Sequence, residues 1–239
     1  MAVSLVSGSG KQVYAGSGGA AGRGGGGITI PPAAVVVPGD LMVVVVGSSK
    51  QYASVSTGWT QITSIGSGSS WLAAFRRVAD GTSNDTCVVA LSSSGSYAAG
   101  MIALRAPLSF DANSVESSQQ NCTTGAGASY ALGTTLSGVG TGELSIALGG
   151  MHGSAGFFTT TAGVSGASWT LESQGGYSGA LQPTITGGCM TATCPTTGTP
   201  AIPSVTYSDS SSTYGKFIFG AVIKEGAAVG GSGLFWGMH

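Results

Sequence analysis

Gly215-Lys-Phe-Ile-Phe-Gly-Ala-Val-Ile-Lys-Glu225 carries a two-residue period that only an extended chain satisfies. Phe217, Phe219, Ala221 and Ile223 fall on one side of such a strand, with Lys216 and Lys224 on the other. Glu143-Leu-Ser-Ile-Ala-Leu148 has the same form: Leu144, Ile146 and Leu148 share one face, while Glu143 and Ser145 are expected to point to solvent. Leu41 to Val46 has no polar alternation at all, which predicts a central strand covered on both faces.

Working outward, further strands are expected at Trp59 to Ile65, Ser70 to Val78, Thr86 to Leu91, Tyr97 to Arg105 and Trp169 to Ser173. They are separated by Gly, Ser, Asn and Pro. No segment carries a helical period of useful length. Residues 7–27, SGSGKQVYAGSGGAAGRGGGG, are too poor in apolar side chains to offset their own ordering entropy and are expected to be an arm or linker, mobile alone and, if ordered, held by a neighbouring subunit.

Laid against itself, the chain repeats weakly with a period of about one hundred residues, the size of a small domain. Pro38-Gly-Asp-Leu-Met-Val-Val44 matches Thr141-Gly-Glu-Leu-Ser-Ile-Ala147. Gly58-Trp-Thr matches Ser168-Trp-Thr, and Tyr97 to Arg105 matches Tyr214 to Lys224. Each half thus has an acidic turn, a strand, a Trp-Thr strand and a long strand ending in a basic residue. The expected fold is all-β, an antiparallel β-sandwich of jelly-roll-like type built from two weakly repeated halves. Its divisions are a Gly/Ser-rich N-terminal arm (1–27), the sandwich (28–225, half-repeats about 28–110 and 135–225) and an extended C-terminal tail (226–239). Four or five strands per half favour one sandwich, with each half contributing to both sheets, over two sandwiches in tandem.

Composition narrows the function. Charged residues make up 7% of the chain against the roughly 25% of an ordinary soluble domain, while hydrophobic residues reach 42%. A neutral polar surface of this kind suits proteins packed against copies of themselves. The formal net charge is −1 and the basic residues are scattered, so no stripe tracks a phosphate backbone and no nucleic-acid partner is expected. The longest apolar stretch, Ala33 to Val46, is interrupted by Pro38-Gly39-Asp40, and no membrane span or cationic leader is readable. An intracellular product that is assembled and not secreted is expected.

The opening Met-Ala-Val-Ser-Leu-Val, Thr29-Ile-Pro, Pro38-Gly-Asp-Leu with its hydrophobic strand, Gly58-Trp-Thr, and Phe75-Arg-Arg-Val-Ala-Asp-Gly81 resemble a loose group of bacteriophage virion proteins over roughly residues 1–110. The resemblance implies a β-sandwich of a tail, fibre or capsid surface, and it carries no catalytic residues. It implies a capsid decoration (cement) or tail-surface protein located in the virion, with copies of itself, most simply as a trimer, and other virion proteins as partners. The rival expectation is a receptor- or glycan-binding module of a tail fibre, with a host surface glycan as ligand.

The search for chemistry turns up structural candidates. No catalytic residue, cofactor or metal is predicted. His152-Gly-Ser154-Ala-Gly156 departs from a nucleophile elbow at its first position and lacks the helix that motif needs. Asp80-Gly-Thr-Ser-Asn-Asp85 offers oxygen ligands but no EF-hand pattern, and is expected to be an ordinary turn. Asp40 and Glu143, in equivalent turns, are expected to accept backbone N–H bonds. Cys189 and Cys194 are spaced to close a short loop, and Cys87 with Cys122 is a second candidate disulfide, isolated thiols being the alternative. Trp59, Trp71 and Trp169 are either core or, if exposed, a sugar-stacking platform. Leu234, Phe235, Trp236 and Met238 form an aromatic tail expected to dock on this subunit or a neighbour as an assembly contact.

Overall fold

A computed structural model of the chain describes residues 3–6, 11–18, 27–32, 34–68, 70–124, 129–130, 143–152, 159–160, 170–179, 182–193, 205–206 and 215–226. The described residues are all-β and antiparallel, apart from one 3-10 turn at Ser83–Asp85. The first half contains β1 (Ser4–Leu5), β2 (Lys11–Gly18), β3 (Ile28–Ile30), β4 (Leu41–Ser48), β5 (Tyr52–Val55), β6 (Thr60–Ser67), β7 (Ser70–Val78), β8 (Cys87–Leu91) and β9 (Gly95–Arg105). The second contains β10 (Val115–Thr124), β11 (Ser129–Tyr130), β12 (Leu144–His152), β13 (Thr159–Thr160), β14 (Thr170–Gly179), β15 (Gln182–Thr193), β16 (Val205–Thr206) and β17 (Gly215–Ile223).

Hydrogen bonding joins these into two large and two small sheets. One large sheet runs β9-β4-β7-β6, with β1 and β2 both on the outer edge of β9; the other runs β10-β17-β12-β15-β14. The small sheets are β3-β8-β5 and β11-β16-β13. Matching β2 to β10, β3 to β11, and so on to β9 and β17, converts each sheet of the first half into its counterpart in the second. The repeat seen faintly in the sequence is therefore a repeat of complete strand order. No described sheet mixes strands of the two halves, which corrects the expectation of one sandwich fed by both. That expectation undercounted strands: β3, β5, β11, β13 and β16 are too short to show a period, and the glycine-rich β2 has no apolar alternation.

Packing follows from which residues each face presents. Val43 and Val45 of β4, Ile102 and Leu104 of β9, and Leu72 of β7 point to one side, where they meet Leu144, Ile146 and Leu148 of β12 and Phe217, Phe219, Ala221 and Ile223 of β17 in one buried cluster. The large sheets thus stack face to face. Met42, Val44 and Val46 point to the other side and form a second cluster with Phe75, Met101 and the small sheet's Ile28, Ile30, Cys87, Val89 and Leu91. Every residue of β4 is buried, as its unbroken apolar run predicts. Each fully buried Val, Leu, Ile or Phe contributes roughly 1.5–3 kcal/mol, so these two seams dominate stability.

Across the seam, β10 lies against β6 and β7, β17 against β7 and β4, β12 against β4 and β9, β15 against β9 and β2, and β14 against β2. Exchanging every strand for its counterpart maps this set onto itself. The halves are consequently related by an approximate two-fold axis along the strands, between β4 and β12, the arrangement of an isologous dimer within one chain.

Two sequence expectations change here. The backbone of Lys11–Gly18, placed in an arm or linker that only a neighbouring subunit would order, pairs with β9 of its own chain, from Lys11 opposite Ile102 to Gly18 opposite Gly95. Ser145, expected to face solvent, is completely buried, and its hydroxyl has no hydrogen-bond partner. It lies on the face of β12 that turns away from the first half, where Ile218 and Val222 of the neighbouring β17 are also fully buried. Alternation in β12 therefore separates two cores, whereas sequence patterning placed one of its faces in water.

At Gly47, in β4, a Cβ would stand 1.9 Å from the Phe217 ring, which occupies that space from the opposite sheet. Gly47→Ala is expected to lower stability by about 1–3 kcal/mol, although alanine normally suits a strand better than glycine. Ser145→Ala is expected to raise stability by roughly 1 kcal/mol, because it removes a buried hydroxyl that bonds to nothing. Thermal melts of the two variants against the parent check both signs.

Candidate functional site at the charged end of the sheets

Charge is sparse in this chain, and the structure collects most of it in one place. β4 and β12 begin at the end of the sheets where β7, β9 and β17 finish, because Leu41 pairs with Val78 and Leu104, and Leu144 with Ile223. Arg76 Nη1 donates to the Asp111 carbonyl at 3.4 Å, tying the two halves at this same end. Asp40, Asp80, Asp85, Asp111, Glu116, Glu143 and Glu225, seven of the nine acidic residues, lie here with Arg76, Arg77, Arg105 and Lys224.

Pro38-Gly39-Asp40 makes the first element. Asp40 N–H donates to the Val37 carbonyl at 3.1 Å, and Gly39 has φ +96° behind a proline, the residue order of a type II turn. The Asp40 carboxylate is buried and accepts Arg105 Nε and Nη2 at 2.7 Å each, plus the Val37 N–H at 2.9 Å. Its predicted acceptance of a backbone N–H is met, and Arg105 is added as a bidentate partner.

The second element is the loop Asp80–Thr86. Asp85, nearly buried, accepts Arg77 Nε at 2.9 Å, Asp80 N–H at 3.1 Å and Gly81 N–H at 2.8 Å. Arg77 Nη2 also pairs with Asp80, whose other oxygen accepts from the Thr82 hydroxyl and N–H. These bonds from Thr82, assisted by Arg77, hold the Asp80 carboxyl down at about 2. Backbone bonds between Gly39 and Ala79, and between Ala79 and Asp40, dock the first turn on the second. The oxygen atoms weighed as calcium ligands are thus engaged by Arg77 and by the loop's own donors.

Gly58-Trp59-Thr60 completes this layer. Gly58 has φ +87°, and a Cβ there would stand 1.8 Å from Arg77 Nη1, so only glycine fits. Trp59 enters the second core at 7% exposure, and its indole N–H donates to the Asn84 carbonyl at 3.1 Å. Pro38-Gly39-Asp40, Gly58-Trp59 and the segment from Arg77 to Asp85 are therefore parts of one brace. In the second half Lys224 pairs with Glu116 at 3.0 Å, which raises its pKa, with Glu143 and Asp111 as further attractive charges. Lys224 and Glu143 hold the strand positions of Arg105 and Asp40, but the ion pair of Lys224 is with Glu116.

Other sequence candidates are dispersed. Cys87 is a buried thiol of the second core, pushed up to about 12 by burial. Cys122 packs against the first core on the far side of the large sheet, 2.9 Å from Ser70 Oγ. Strand geometry keeps the two apart, and the structure has no disulfide between them. Cys189 lies in β15, its backbone between Leu148 and Ser173. His152 ends β12. Cys194, Ser154, Trp169, Leu234, Phe235, Trp236 and Met238 lie outside the described residues.

The sequence displayed the acidic turns and basic strand ends as a repeat without pairing them. The antiparallel register, which brings Leu41 beside Leu104, is what makes Asp40 and Arg105 neighbours. Nothing in spacing indicated Arg77–Asp85, whose proximity arises from the 3-10 turn. Compared with protein-family models, curated proteins and solved structures, the chain matches none.

Asp85→Ala is expected to cost about 3 kcal/mol, since it strands the Arg77 guanidinium and two loop N–H groups; a denaturant titration measures it. A carboxyl held below its ordinary 3.8 stabilises the fold above that value and ceases to as pH falls toward 2. The loop is therefore expected to loosen between those limits, seen as movement of the Trp59 indole N–H resonance in NMR spectra. A resonance that stays fixed down to pH 2 overturns the assigned role of Asp80.

Proposed function

We propose that this chain is a non-enzymatic structural component of a phage particle, a capsid decoration or tail-surface protein that assembles with copies of itself and with other virion proteins. The observation that carries the proposal is the use of charge: in a chain with 7% charged residues, the carboxylates of Asp40, Asp80, Asp85 and Glu116 at the charged end are bound to arginine, lysine and loop donors that brace turns. Such a site holds shape. A doubled block with long apolar seams and a neutral polar surface suits a lattice or tail component, where shape and rigidity are the working properties.

Each half is best described as a jelly-roll-like β-sandwich. Numbering the eight strands of a half from β2 or β10, the large sheet runs 1-8-3-6-5 and the small one 2-7-4, so chain-distant strands alternate between layers as in a jelly roll. The small sheet β11-β16-β13 would then cover the outer face of β12 and β17, where Ser145, Ile218 and Val222 are buried. The aromatic tail Leu234-Phe235-Trp236-Gly-Met238 is assigned to assembly, and a closed homo-oligomer, a trimer at simplest, is the form proposed.

Cryo-electron microscopy of purified particles, with the chain identified by mass spectrometry, tests the role. The expected result is a two-lobed density, each lobe a pair of sheets, repeated on the capsid lattice or along the tail. Absence of the chain from purified particles sinks the proposal.

A further inference from the structure

The end of the first large sheet opposite the charged turns carries aromatic rings. On the face that meets the small sheet, one row crosses five neighbouring strands: Gly66 of β6, Trp71 of β7, Ser48 of β4, Tyr97 of β9 and Gly16 of β2. The same face continues down β7 as Ala73 and Phe75 and down β9 as Ala99 and Met101, all in the second core. At the row itself Trp71 and Tyr97 are only half-buried. The reason is length: β4, β7 and β9 have 8, 9 and 11 residues, whereas β3, β5 and β8 of the covering sheet have 3, 4 and 5. At about 3.3 Å per residue the small sheet ends short of the large one and leaves a ledge.

The ledge is built. The Trp71 ring fills the space beside Gly66, where a Cβ would stand 2.0 Å from it, and the indole N–H donates to the Gly68 carbonyl at 3.1 Å. Tyr52 closes the inner side with its ring edge-on to Phe75, centroids 5.0 Å apart. The stem of Lys50 lies over Gly95, two residues before Tyr97 on the same face, in the turn where Ser48 Oγ donates to the Lys50 carbonyl. Among the described side chains, Lys50 is the charged group at this end.

We propose that this ledge binds an acidic oligosaccharide, with pyranose rings on Trp71 and Tyr97 and a sugar carboxylate or sulfate at Lys50. Trp71 and Tyr97 are two strands apart, about 10 Å, so a single extended glycan spans both. Partly exposed aromatic rings, that of Trp71 held by its own hydrogen bond, offer apolar faces with wet edges, the surface that sugar C–H faces stack on. An exposed ammonium with no described carboxylate at its end of the sheets selects an anionic ligand. The charged end at the opposite pole, rich in carboxylates, would repel it. This site is separate from the brace and does not depend on the chain's place in a particle.

Titration of the full chain with tetrasaccharides containing glucuronate, galacturonate or sialate, and with uncharged cellotetraose, tests the proposal through tryptophan fluorescence and NMR. At least one acidic sugar is expected to bind saturably and to shift the Trp71 indole resonance, with cellotetraose about ten-fold weaker. Lys50→Gln, at an exposed position, is expected to erase that preference. Trp71→Phe should retain binding, and Trp71→Ala should weaken it by about ten-fold. No saturable binding by any acidic sugar at millimolar concentration overturns the proposal, as does binding that leaves the Trp71 resonance unmoved or a Lys50→Gln variant with unchanged preference.

Discussion

The apolar seam between β4 and β12 is the contact on which the rest of the molecule depends. Val43 and Val45 face Leu144, Ile146 and Leu148 across it, and β9, β7 and β17 extend it on either side. The halves meet about an approximate two-fold axis, and the large sheets are required to approach closely across it. Gly47 meets that requirement by leaving room for the Phe217 ring. Packing of this density tolerates little change in volume, which makes the pair of large sheets the rigid part of the structure.

A strand buried on both faces cannot carry charge along its length, so charge is displaced to strand ends and turns. That displacement explains both the low charged fraction and its concentration around the starts of β4 and β12. Once there, Asp40, Asp80, Asp85 and Glu116 meet an arginine, a lysine or backbone N–H groups, and the acid-turn and basic-end pattern becomes a brace. Asp40 and Arg105 tie the entry of the central strand to the exit of its neighbour; Arg77 and Asp85 hold the loop that docks on that entry. At the opposite end of the first half, Lys50 is the charged group among the described side chains, the covering strands are short, and the rings of Trp71 and Tyr97 stand partly in water. The molecule is polar along its strand axis as a result: one end closes on itself, the other presents rings.

Much of this was legible from residues alone. The unbroken run Leu41–Val46 announced a strand covered twice, Phe217 to Ile223 announced a core face, and three motif pairs in the same order announced two halves. Those signals survive because side-chain alternation and turn chemistry are local. Asp40 was legible as a turn acid for the same reason. The strand count was not, since two- and three-residue strands have no period and Lys11–Gly18, Val115–Thr124 and Gln182–Thr193 carry no sustained apolar alternation. Nor was the side occupied by Ser145: serine in an alternating strand looks the same whether its face meets water or a second layer.

The sequence by itself determined an antiparallel all-β chain in two repeated halves, with a doubly buried strand and acidic turns at fixed places, because each of these depends on neighbours within a few residues. Tertiary structure decided which faces meet, and with that the separation of Cys87 from Cys122, the burial of Ser145, the pairing of Asp40 with Arg105 and the ledge that leaves Trp71 and Tyr97 half-exposed. These depend on register and on layers brought together from positions well over a hundred residues apart, and no local pattern encodes which of several apolar faces will be covered by which.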